Sequence, residues 1–111
     1  MSEEYIEILT EIEEETFTCP ERVLFLSVIF QALLDATKEK TIVESSRTSV
    51  ERQHARAWFF CSVGVTCDNF EYVCENAGMD AEFTRSFALK VINSKEIKYV
   101  RQRIKRVLDK S

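Results

Sequence analysis

The residues best equipped for chemistry in this sequence are Cys19, Cys61, Cys67 and Cys74 and the single histidine, His54. Thiolate and imidazole are ordinary zinc ligands, and a nucleophilic thiol needs an adjacent base. Neither arrangement is spelled out. No C-x-x-C pair occurs, and the spacing of Cys61, Cys67, Cys74 and His54 matches no common ligand pattern. His54 has no nucleophile grouped with it. The cysteines are therefore expected to be small buried apolar residues, with no metal and no cofactor. The chain has no glycine-rich phosphate loop and no pair of carboxylates in an apolar setting. Nothing here calls for an enzyme.

A second kind of chemistry is the reading of DNA. A guanidinium can pair bidentately with guanine in the major groove, which makes Arg85 the candidate base contact. Glu82, Thr84 and Ser86 beside it are candidates for further base or backbone contacts, and Lys90 for a phosphate. Lys95, Lys98, Arg101, Arg103, Lys105 and Arg106 would supply the nonspecific electrostatic attraction.

Such contacts need a rigid helix to present them, and the stretch 69–92 reads as two short helices around a tight turn. Phe70, Val73, Cys74 and Ala77 share one face at helical spacing. Asp68 is placed as the N-cap, with Glu71 at capping-box distance. Gly78 suits the left-handed conformation that ends a helix. Asp80 then caps a second helix, in which Phe83, Phe87 and Val91 share a face while Glu82, Arg85 and Ser86 point outward. A small residue at the crossing (Cys74), a glycine turn and an apolar anchor (Met79) make the pattern of a helix-turn-helix. An αα-hairpin used only for packing reads the same way.

The remaining elements follow the same logic. Residues 3–15 form an amphipathic acidic helix, with Tyr5, Ile8, Leu9 and Ile12 as its stripe and glutamates on nearly every other position. Thr18, Pro20 and Glu21 open a second helix that runs to about Lys38, apolar on most sides, too short to span a membrane and therefore central and buried. A box at Thr48 and Glu51 starts a helix in which Ala55, Trp58 and Phe59 pack on the central one. Residues 62–68 form a loop. The last helix, 94–109, has a seam of Ile97, Val100, Ile104, Val107 and Leu108. Its outer face, Lys98, Arg101, Gln102, Lys105 and Arg106, is almost wholly basic.

Two glycines and one proline in 111 residues leave few breakers, which favours an all-α protein of a single domain. The net charge of −4 is unevenly spread: residues 90–111 hold eight Lys or Arg against two acids, and residues 1–89 hold seven against seventeen. Such asymmetry suggests a basic helix with an anionic partner, or one paired with an acidic element of the same protein. The chain opens with acidic residues rather than a basic n-region, so no signal peptide is expected, and a reducing cytoplasmic setting with free thiols is.

Trp58-Phe59, then Phe70-x-x-Val73-Cys74-x-x-Ala77-Gly78-x-Asp80, then Arg85, resembles small proteins of proteobacterial phages and prophages that carry a helical region followed by a helix-turn-helix-like segment. Residues 31–36, Gln-Ala-Leu-Leu-Asp-Ala, also look like the leading helix of such proteins. The resemblance covers about residues 23–92 and implies a DNA-binding or transcription-regulating role. This sequence departs from the pattern at Ala81, where a proline usually opens the second helix, and at Thr84, where a β-branched apolar residue usually anchors it.

The expectation is a compact all-α bundle of five or six helices containing a helix-turn-helix, binding DNA in transcriptional control of phage-type genes. The first alternative is an acidic protein-interaction module that modulates a host protein such as RNA polymerase or a nuclease. The second is a structural helical homodimer. No membrane partner is expected.

Overall fold

In the computed structural model, the described residues are 10, 20–39, 45–61 and 63–110. Apart from Thr10, which is helical, the expected acidic helix 3–15 lies outside them, as does the expected cap at Thr18. Five helices make up the described chain: α1 (Pro20–Ala36), α2 (Ser46–Phe60), α3 (Val65–Ala77), α4 (Ala81–Ile92) and α5 (Ile97–Lys110). No strand occurs among the described residues, and no described helix is long and apolar enough to cross a membrane. The fold is the all-α bundle expected from the sequence.

α1 is the helix on which the others assemble. It packs most extensively on α3 and α2, and also meets α5. Leu26, Ile29, Phe30, Leu33 and Leu34 recur at three- and four-residue intervals and are buried. Each such side chain contributes about 1.5–3 kcal/mol on burial. That outweighs the helix-propensity cost of a β-branched or aromatic residue, at most about 0.7 kcal/mol. The helix is nevertheless not covered all round, because Leu24 on its far side is 69% exposed and Val28 is half-exposed.

The helix starts differ from the sequence expectations in ways that follow from which oxygen reaches which N–H. α2 is capped by Ser45, whose hydroxyl accepts from the Thr48 amide at 3.2 Å. The expected cap Thr48 therefore sits inside the first turn. Glu51, released from a capping role, pairs with Lys38 at the end of α1 and with Arg47. α3 begins at Val65 after Gly64, which has φ +92°, so most of the expected loop 62–68 is helix. Asp68 lies in the first turn of α3 instead of capping it, where its charge still suits the helix dipole. α5 begins at Ile97, three residues later than expected. Ser94 Oγ accepts from the Glu96 amide at 3.0 Å, and the Glu96 carbonyl accepts from Val100 at 3.1 Å.

The turn between α3 and α4 forms as expected. Gly78 is left-handed, with φ +75° and ψ 25°. The Met79 amide donates to Cys74 O and the Gly78 amide to Glu75 O, a Schellman closure of α3. Met79 packs against the core. Asp80 Oδ2 accepts from the Phe83 amide at 2.9 Å and caps α4.

Candidate functional site

The expected reading helix, α4, buries Phe87 and Val91 as anticipated, but its inward face is shifted to take Thr84 and Ala88 in place of Phe83. Its buried residues are Thr84, Phe87, Ala88 and Val91. Phe83, expected on the buried stripe, is 44% exposed, and Thr84, expected to reach DNA, is 1% exposed. The Thr84 hydroxyl donates to Asp80 O at 2.8 Å, which satisfies it inside the helix and leaves its methyl to pack. Thr84 thus acts as the β-branched anchor of α4 and has no path to a ligand. The outward face of α4 consists of Glu82, Phe83, Ser86, Leu89 and Lys90, two large apolar side chains among one acid, one base and one hydroxyl.

Arg85, expected to read a base, is held against the protein. Its Nε donates to Phe59 O at 3.0 Å, and Nη2 points to Cys61 O at 3.4 Å and Cys67 Sγ at 3.5 Å. Nη1 pairs with Glu82. The guanidinium also lies 4.9 Å from the centroid of the Phe70 ring. Phe59 and Cys61 carry carbonyls at the end of α2, where four lack partners within the helix. A guanidinium satisfies them and sits favourably at the negative end of the dipole. Pairing with guanine would first break these bonds, so Arg85 is a positioning residue joining α2, α3 and α4. Around it Trp58, Phe59 and Phe70 make edge-to-face contacts, and Trp58 Nε1 donates to Asn69 Oδ1 at 2.8 Å.

The same device recurs, enlarged, at the end of α1. Arg101 Nη1 donates to Leu34 O at 2.6 Å and Thr37 Oγ1 at 2.7 Å. Arg56 Nε donates to Ala36 O at 2.9 Å, and Arg52 Nη1 to Lys38 O at 3.4 Å. Arg101, expected on the open basic face of the last helix, is thus half-buried and turned toward α1. Lys98, Lys105 and Arg106 are exposed, as are Lys90 and Lys95, whereas Arg103 is half-buried. Lys38, Arg52, Arg56, Ile97, Lys98 and Arg101 line a cleft of about 350 Å³ together with Thr37 and Glu39. Sequence reading missed Arg52 and Arg56. Their four-residue spacing on α2 was visible, but the carbonyls they serve belong to another helix.

Lys38 closes one edge of this region. Its hydrogen bond to Glu51 holds the ammonium pKa above its ordinary value, and the same bond, with help from Arg47, holds Glu51 below the usual carboxylate range.

A second concavity is apolar. Leu24, Val28, Ala32, His54, Trp58 and Leu108 line an open groove of about 640 Å³ between α1 and α2 that ends at α5. His54 sits on its wall; the Ser27 hydroxyl on the same lining donates to Val23 O at 2.8 Å and is not paired with the imidazole. The described cysteines are free thiols. The Cys67 thiol donates to Glu71 at 3.3 Å, which pushes its pKa up with some help from burial, and burial pushes up Cys74. Cys61 is half-buried and donates to Val63 O. Among the described residues no three His, Cys, Asp or Glu side chains group as metal ligands.

No family model matches the chain, and searches among characterised proteins and among solved structures find no match.

Proposed function

We propose that this domain is a protein-interaction module that takes an amphipathic helix of a partner protein in the groove between α1 and α2. The observation that carries the reading is the groove itself. Leu24 and Val28, one turn apart on α1, stand exposed across from Trp58, and Ala32 and Leu108 extend the apolar floor. A helix of the partner would bury its own apolar stripe there at three- and four-residue spacing. The outward face of α4 supports the same choice over sequence reading, since it offers Phe83 and Leu89 where a DNA-reading helix would offer polar side chains, and Arg85 is committed to α2. On the resemblance to phage-type proteins, the partner would be a host protein such as RNA polymerase or a nuclease.

The test is a photo-crosslinking residue placed at Leu24 of the full chain, with a matched probe at Arg106 as control. A discrete protein adduct from position 24, absent from position 106 and lost on Val28→Ser, is the expected result. Leu24→Ser and Val28→Ser should leave the melting temperature unchanged, because neither side chain is buried. Crosslinks only within the chain itself, or equal capture at both positions, would defeat this reading.

A second reading has its own observation: Lys98, Lys105 and Arg106 stand exposed on one helix. It is a sequence-independent attraction to DNA, carried by counterion release.

A further inference from the structure

The end of α1 gathers more positive charge than closing a helix requires. A helix C-terminus carries roughly half an elementary charge, which one guanidinium offsets. Here Arg52 and Arg56 arrive from α2 and Arg101 from α5, each with a nitrogen on an α1-end carbonyl. Lys98 stands beside them on the cleft wall. Among the described residues, Glu39 is the single acid lining that cleft. The nearby Asp35 and Glu51 face Lys38.

The bonds already made leave donors over. Arg56 uses its Nε, and its two terminal amino groups have no protein partner among the described residues. Arg101 uses Nη1 for both its acceptors, so Nε and Nη2 remain. Because each guanidinium is tied by one edge to backbone oxygens, its remaining N–H groups are held in place before any ligand arrives, which lowers the entropic cost of binding. A planar fork of this kind matches tetrahedral oxyanions, with which it forms paired charge-assisted hydrogen bonds.

We propose that the cleft between the end of α1, α2 and α5 binds a phosphoryl group, with Arg56 and Arg101 as its forks and Lys98 as a point charge at the mouth. A volume of about 350 Å³ admits one or two phosphoryl groups rather than a folded partner. The group can belong to a free phosphorylated molecule or to the backbone of a nucleic acid. The site is independent of the apolar groove, which is lined by other residues.

The experiment is a titration of the ¹⁵N-labelled full chain with sodium pyrophosphate at constant ionic strength, followed by backbone amide shifts. Saturable shifts centred on Arg56, Ile97, Lys98 and Arg101 are expected. Lys98→Gln, an exposed change that leaves the fold intact, should weaken the affinity by about tenfold, as loss of a charge-assisted contact does. Arg56→Lys keeps the charge but loses the fork and should weaken it as well. A short single-stranded oligonucleotide then separates the two sources. Tighter binding with displacement of pyrophosphate identifies a nucleic-acid backbone, and failure to compete identifies a free phosphorylated ligand. Shifts that never saturate, that spread equally over Lys105 and Arg106, or that Lys98→Gln leaves untouched would overturn the site.

Discussion

Arg85 and Gly78 show how single residues carry the architecture. Arg85 hydrogen-bonds two carbonyls at the end of α2, pairs with Glu82 and lies against Phe70. With its side chain only 20% exposed, those bonds are largely shielded from water. Arg85→Gln should therefore lower stability by roughly 2 kcal/mol, the size of one hydrogen bond to a charged group with a modest cation–π contribution. Urea unfolding measures this. A variant as stable as the parent would show that the side chain is free for other work. Gly78 is constrained twice. Its φ of +75° disfavours any residue with a Cβ, and a Cβ there would stand 2.6–2.9 Å from the Arg22 guanidinium. Arg22 can swing aside, so the backbone conformation dominates. Gly78→Val should cost about 1 kcal/mol or more and lower the melting temperature.

At the scale of elements, the helices are closed by one another. α2 ends on an arginine of α4, and α1 ends on arginines of α2 and α5, while α3 ends on its own glycine turn. Lys38 and Glu51 join the end of α1 to α2 in the same fashion. This pair makes stability depend on pH. Glu51 in the folded protein has a pKa below its ordinary 4.5, so the unfolded chain takes up the proton first as pH falls. The stability that Glu51 contributes is full above about 4.5 and is lost as pH drops through the lowered folded value. Replacing Glu51 with Gln should flatten the acid limb of the stability curve while altering the plateau at neutral pH only slightly, because both half-buried side chains remain in contact with solvent, which screens the pair. Melting curves between pH 6 and about pH 2.5 report both effects. An acid limb of unchanged slope would remove Glu51 from the account.

For the whole molecule, the governing feature is that opposite charges are segregated along the chain while the apolar surface is left open on α1 and α4. Lys98, Lys105 and Arg106 are exposed cations of α5, whereas Arg101 is engaged with α1. Replacing these three with glutamine should weaken any DNA binding equally for all sequences. Its salt slope should fall by about one for each phosphate that a replaced side chain had neutralised. Deleting residues 1–16 removes seven glutamates and should strengthen such binding modestly. Gel shifts on random DNA across a salt series read both. A protein silent at low salt, with or without the deletion, would remove the DNA reading and favour protein binding.

Features set by a residue and its near neighbours in the chain were legible without coordinates. Gly78 reads as a left-handed helix end because only its own backbone freedom is at issue, and Asp80 reads as a cap because its partner lies three residues on. The seam of Val100, Ile104 and Val107 shows in its spacing alone, and all-α architecture follows from such periodicity with few breakers. What the sequence could not assign was the direction of charged side chains. Arg85 and Arg101 sit at positions that pattern alone marks as outward and basic, yet each is drawn inward by carbonyls 24–67 residues away in the chain. Ser45 displaced Thr48 as a cap by a shift of three residues that no periodicity distinguishes. A helix end exposes orphan acceptors wherever it stops, and only the tertiary arrangement decides which guanidinium stands near enough to satisfy them.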